Sequence, residues 1–238
     1  MVGYFLNKNS FCLCIICCLL FDPSPSHAWQ KELAIGFLQT NGNSASKSNN
    51  LKLSLIKNED YFLYNLNISA FNQSKQRSNT AEEYKILAQV DKKINRKKSI
   101  YFLFLTEDDR FSGFDYQSSI NFGYGKTLIK NDKSNLQIRF GPGYRISSIP
   151  QELKEKELTL RFSEKYELAI SENADLKQNF SISSGEDNSI MNFDLSTSAS
   201  ITDALSLALI FEYKYIENVP IGKKKFDSKT SMQFGYKF

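Results

Sequence analysis

From residue 29 onward the chain alternates apolar and polar positions in short runs broken by turn residues. The last run states the pattern most cleanly. Met232, Phe234, Tyr236 and Phe238 share one phase and Gln233, Gly235 and Lys237 the other, so a strand here turns bulky apolar groups to one side only. The run stops on its aromatic residue, as a closed sheet does when its last strand pairs with its first. It therefore predicts the end of a transmembrane barrel.

The same period recurs upstream. Leu33, Ile35 and Phe37 form one face, with Trp29 in phase where an interfacial ring belongs, and Thr40-Asn41-Gly42-Asn43 supplies a hairpin turn. Leu51, Leu53 and Leu55 make a second strand, Phe62 to Ala70 a third, and Tyr84, Ile86, Ala88 and Val90 a fourth, before a basic turn over 92–98. The fifth, 100–107, is so uniformly apolar that its facing stays open. Seven more follow: 116–124, 136–144, 158–168, 176–182, 191–201, 205–215 and the closing run. The sum is twelve, an even number that lets an antiparallel barrel close with both ends on one side. The fold expected is all-β, a closed transmembrane β-barrel over residues 29–238. Its longest connections, 72–80, 146–156 and 218–226, follow odd-numbered strands and so share the extracellular end, leaving short periplasmic turns.

Two places disturb the pattern. Glu164 falls in the apolar phase of the eighth strand, which calls for a bulge near Ser163 or a local widening. Gly141-Pro142-Gly143 puts a proline inside the seventh strand, where a lost ladder hydrogen bond marks a bulge or bend, and its glycines would give Arg139 and Arg145 room to reach across the lumen.

Charge then sets the facing. A Lys or Arg turned to lipid at mid-membrane costs roughly 2 to 4 kcal/mol. Lys85, Arg139, Arg161 and Lys214 each oppose the apolar set of their strand and must point inward, with Arg145, Asp194 and Glu212 beside them in the lumen. Eight strands leave a filled interior and about 16 to 18 an aqueous channel. Twelve leave two readings, a lumen plugged by salt bridges or a narrow pore.

Composition narrows the chemistry. The 19 Phe and 12 Tyr of the 238 residues favour strands. Residues 1–28, with Lys8, an apolar run over 11–21 and Ser26-His27-Ala28, read as a secretory signal peptide cleaved after Ala28, since the run is too short to span a bilayer; a retained anchor is the alternative. That segment holds Cys12, Cys14, Cys17, Cys18 and His27, the chain's whole complement of both residue types. A mature chain without them has no disulfide, no thiol catalysis and no Cys/His metal site. No catalytic residue, metal or cofactor is expected. The net charge of +4, spread evenly, is no nucleic-acid footprint.

Four stretches in order, Trp29 with Ile35-Gly36-Phe37 and Thr40 to Asn43, Asp109 to Asp115, Phe122-Gly123-Tyr124-Gly125, and Gly141-Pro142-Gly143-Tyr144-Arg145, carry a family resemblance. Together they resemble the YdiY-like salt-induced outer membrane proteins, the family of the domain of unknown function 481. The motifs reach Arg145, and the remainder matches by strand pattern. The resemblance implies an outer-membrane barrel of unassigned biochemical role, with a salt response in its name and no catalytic residues to carry over.

Within that frame, the loop residues Asp109, Arg110, Gly113 and Asp115 suggest an ion or ligand site with the two carboxylates as donors, or simply a tight extracellular turn with Arg110 paired to a carboxylate. Lys223-Lys224-Lys225 would meet lipopolysaccharide phosphates or remain a solvated charge run. Phe234, Tyr236 and Phe238 form the expected signal for the barrel-assembly machinery, and the apolar face expects outer-membrane lipid. Two other classes stay open: a barrel enzyme using a carboxylate pair or a Ser and Lys pair, for which no spacing speaks, and a soluble periplasmic barrel, against which the long apolar faces argue.

Overall fold

The computed structural model describes residues 29–40, 46–75, 78–109, 112, 114–149 and 154–238; residues 1–28, and with them the expected signal peptide, lie outside the described residues. Twelve strands follow one another: β1 Gln30–Thr40, β2 Ser46–Asn58, β3 Phe62–Lys75, β4 Ser78–Lys93, β5 Lys98–Asp109, β6 Tyr116–Lys130, β7 Ser134–Ser148, β8 Glu155–Ser171, β9 Ala174–Gly185, β10 Ser189–Ser200, β11 Leu205–Ile216 and β12 Phe226–Lys237. Each pairs antiparallel with its neighbours in sequence, and β1 pairs with β12 to close the barrel. Closure leaves no free edge, which is the condition for a sheet to sit in lipid.

The alternation read from the sequence is the alternation of exposure. Ile35, Phe37, Phe122, Leu158 and Phe234 stand on the outer face, Leu158 at 78% exposure, while Tyr101, Asn121, Thr159 and Gln233 are buried on the inner one. This decides β5, which the sequence left open: Ile100, Phe102 and Phe104 are exposed, and Tyr101, Leu103 and Glu107 are buried. Its apolar residues fill both faces because Tyr101 and Leu103 pack inside. The end holding Trp29 and Phe238 carries clustered aromatics, with Trp29 against Tyr64 at 6.3 Å, Phe62 against Tyr64 at 5.9 Å and Tyr236 stacked on Phe238 at 5.8 Å.

The closing seam is short. It runs from Glu32↔Lys237 to Gly36↔Gln233, and Phe238 N–H adds a 3.1 Å bond to the Lys31 carbonyl. The terminal residue is thus the last stitch of the closure.

Several expectations are corrected. Residues 72–80 are not a long loop: β3 runs to Lys75 and β4 starts at Ser78, with Asn72↔Glu82 and Gln73↔Ala81 paired and one register shift between Gln73 and Ser74. Backbone ladders need no apolar side chains, so a polar run passes as strand wherever a partner lies beside it. Strand also extends to Ser148 and resumes at Glu155, which shortens the 146–156 connection, whereas 217–225 remains a connection.

No bulge occurs near Ser163. The pairs Ser163↔Ser181 and Glu164↔Phe180 run in unbroken register, and the irregularity of β8 lies between Ala169 and Ser171. A bulge at Ser163 would have turned Tyr166 and Leu168 to the inner face, a larger loss than keeping one carboxylate outside. Glu164 stays in the outer phase and accepts a 3.1 Å hydrogen bond from Gln178 Nε2.

The Gly141-Pro142-Gly143 stretch holds no bulge either. Asn121↔Gly143 and Tyr124↔Phe140 keep one register, and the ladder is merely interrupted between them, where Pro142 has no N–H to give. The two backbones come close there. A Cβ built on Gly123 would lie 2.7 Å from the Gly141 Cα, and one on Gly141 would lie 2.6 Å from the Gly123 Cα.

Candidate functional site

The barrel register puts Lys85, Arg139, Arg145, Arg161, Asp194, Glu212 and Lys214 on the face opposite the exposed apolar residues, so the charges gather in the lumen. Three groups of charges form there. In the first, Glu107 on β5 is shared by two lysines: Lys85 of the adjacent strand, directly opposite in register and 3.4 Å away, and Lys214 of β11. Lys214 also lies 3.7 Å from Asp109. Strands β5 and β11 are on opposite walls of the barrel, so the Lys214 to Glu107 pair spans the lumen. Nearby, Lys229 on β12 reaches Glu83 on β4, four strands round the wall. Lys229 is in register with Glu212, itself in register with Asp194, so one cation borders two like charges that would otherwise repel.

The second group centres on Asp91. Its carboxylate accepts from Arg139 Nε at 3.0 Å, Gln89 Nε2 at 2.6 Å and Ser99 Oγ at 3.4 Å. Arg139 crosses from β7 toward β4, and the space is made by Gly125 beneath it: a Cβ there would sit 3.3 Å from Arg139 Cγ and 2.6 Å from Ser99 Oγ. Room for Arg139 thus comes from Gly125.

The third group joins Arg145 to Glu157, its partner in register on β8, through Nη2 at 2.6 Å and Nε at 2.9 Å. Arg145 also donates to the Ser183 carbonyl at 3.3 Å, and the second Glu157 oxygen accepts from the Asp187 and Asn188 N–H groups at 3.0 and 3.3 Å. Both ions are buried. Arg145 therefore does not reach across the lumen: a nearer carboxylate and the loop after β9 satisfy it first.

In the described part of the loop before β6, Asp109 and Asp115 do not converge. Asp109 accepts from Ser112 N–H at 3.2 Å and turns its other oxygen to Lys214, while Asp115 Oδ2 accepts from Ser148 Oγ at 3.5 Å. The two carboxylates serve different partners, and no group of three or more candidate metal ligands occurs among the described residues. Arg110 and Gly113 lie outside the described residues. Lys223, Lys224 and Lys225 are exposed on the loop between β11 and β12, where Gly222 takes a φ of 85° and Lys223 N–H closes a turn on the Pro220 carbonyl at 3.1 Å.

The sequence reading missed Glu83, Asp91, Glu107, Glu157 and Lys229. Phase alone could have found four of them: Glu83 and Asp91 share the parity of Lys85, Glu157 that of Arg161, and Lys229 that of Gln233. Glu107 sits on the one strand whose pattern gave no facing.

Comparison with known proteins agrees with the fold. The family model described as "Protein of unknown function, DUF481" matches residues 33–238. No curated protein matches the chain. Among solved structures it is similar to the NanC porin, at 12% identity over 89% of this chain and 99% of that one with a TM-score of 0.54. It is also similar to the translocator domain of the autotransporter NalP from Neisseria meningitidis, at 12% identity over 97% and 95% of the two chains with a TM-score of 0.47, and to the KdgM porin, at 12% over 88% and 99% with 0.46. At these identities the likeness is one of fold, the outer-membrane β-barrel.

Proposed function

Because the chain belongs to the DUF481 family of proteins of unknown function, we propose its role from its lumen: an outer-membrane barrel, exported through the secretory pathway, that serves the envelope under osmotic or salt stress and whose interior is held nearly shut by ion pairs. The observation that supports this is Glu107, bound at once by Lys85 from its own wall and by Lys214 from the wall opposite. Charges drawn together inside a low-dielectric wall interact strongly, and salt screens them far less than surface pairs. The lumen then passes little current until that strut is removed. Absence of His and Cys from residues 29–238, and the engagement of Glu83, Asp91, Glu107 and Glu157 by Lys and Arg, speak for a barrel that is not an enzyme. The NanC neighbour is a porin, in keeping with passage along the same axis.

Planar-bilayer recording tests the reading. Purified protein is expected to show small or no conductance steps across a range of salts, and the double variant Glu107→Gln/Lys214→Met clearly larger ones. Steps of equal size in both proteins would remove the strut from the account.

The outer apolar face suits outer-membrane lipid, and Lys223, Lys224 and Lys225 suit lipopolysaccharide phosphates at the extracellular rim. Phe234, Tyr236 and Phe238 are assigned to recognition by the barrel-assembly machinery. Deleting Phe238, which also removes its bond to Lys31, is expected to lower the amount of folded protein in outer-membrane fractions more than any single loop substitution does. Undiminished levels of the truncated chain would count against that assignment.

A further inference from the structure

One wall of the lumen carries three arginines and two fully engaged carboxylates. Arg139 holds Asp91, which also takes Gln89 and Ser99, and Arg145 holds Glu157, whose second oxygen is taken by the Asp187 and Asn188 N–H groups. Arg161 makes no hydrogen bond or ion pair among the described residues. A guanidinium carries five donors and stays charged, so leaving it unmatched inside a barrel wall is costly.

The groups around it are unmatched as well. Of the buried side-chain polar atoms among the described residues, those without a partner are Tyr101 Oη, Asn121 Oδ1 and Thr159 Oγ1. The register brings all of them to Arg161. Tyr101 pairs with Gly123, Gly123 lies against Gly141, and Gly141 pairs with Arg161, so a phenol and a guanidinium share one rung with only glycine between them. On the next rung Asn121 pairs with Gly143 and Gly143 with Thr159. On both rungs, then, glycine is what stands between these side chains.

We propose that Arg161, Tyr101, Thr159 and Asn121 form a binding site for a small oxyanion inside the lumen. The guanidinium supplies charge and paired donors in the fork geometry that carboxylates and phosphates accept. The Tyr101 and Thr159 hydroxyls add donors, and Asn121 Oδ1 accepts from a protonated oxygen or a water carried in with the anion. This goes beyond the restricted lumen proposed above and is independent of it, since a barrel that passes no current still binds.

The test uses full-length folded protein, labelled with 15N on its six arginines, in a maltoside micelle that brings no phosphate of its own. Phosphate, acetate and chloride are titrated separately at constant ionic strength. The Nε–H signal lost in Arg161→Gln identifies Arg161; in the wild type it is expected to move saturably with phosphate or acetate and not with chloride, while the signals of Arg139 and Arg145 stay put. Calorimetry is expected to show the same binding abolished in Arg161→Gln, retained in weaker form in Arg161→Lys, and at least tenfold weaker in Tyr101→Phe. Heat-modifiable gel mobility confirms that each variant is folded. A uniform drift of all arginine signals, or binding unchanged in Arg161→Gln or in Tyr101→Phe, overturns the site.

Discussion

Glu107→Ala is expected to destabilise the folded barrel by about 3 to 5 kcal/mol, the usual consequence of removing one partner from a buried ion pair. Two ammonium groups, Lys85 and Lys214, face each other across the vacated position, and the side chains are 9% exposed at Glu107 and 16% at Lys214, so little water is at hand to replace the carboxylate. The double variant Glu107→Gln/Lys214→Met is expected to recover most of the loss, because it removes the carboxylate together with the ammonium that crosses the lumen to it. Unfolding by guanidinium in micelles, followed by the fluorescence of Trp29, the chain's sole tryptophan, measures both. A Glu107→Ala variant as stable as the wild type would mean that water, rather than carboxylate, holds the two lysines apart.

The second large effect is expected at Gly141. A methyl group there has no direction in which to yield, since the atoms it meets are the Phe122 carbonyl and the Gly123 Cα of the neighbouring strand. Overpacking of a side-chain core costs about 1 to 3 kcal/mol, and a clash with backbone belongs at or above the upper end of that range. Gly141→Ala should therefore reduce the heat-resistant, fast-migrating fraction on gels and lower the unfolding midpoint. Gly235→Ala is the natural comparison: the atoms nearest its new Cβ would be Ser206 Oγ and Glu32 Oε1, the ends of side chains that can rotate away. Equal losses in the two variants would show that the approach of β6 and β7 matters no more than ordinary crowding.

Much of the barrel was legible because its information is local. A period of two needs only the residue types along one strand, and a lipid-facing side tolerates so few charges that Lys85, Arg139 and Lys214 had a single admissible direction. Where the local rule was weak, the reading slipped. Polar residues over 72–80 looked like a loop, although pairing of 72–75 with 78–82 makes those residues strand. Glu164 looked like a bulge, although unbroken register and a bond to Gln178 keep it outside. On β5, apolar residues on both faces erased the alternation, and with it the place of Glu107 at the centre of the lumen.

What the residue order alone determined was the number of strands, their antiparallel succession, the facing of most of them and the family to which the chain belongs. All follow from periodicity, turn chemistry and short motifs, none of which looks beyond a few positions. Tertiary structure alone decided who meets whom inside. Lys214 reaches Glu107, Lys229 reaches Glu83 and Arg139 reaches Asp91, pairs separated by 107, 146 and 48 positions. Closure and the register of each ladder bring these residues together, and neither quantity is written in any single strand. The same holds for Arg161. Its charge and facing are readable from the strand, but its lack of a partner emerges only when the curved sheet has assigned the nearby carboxylates to other arginines.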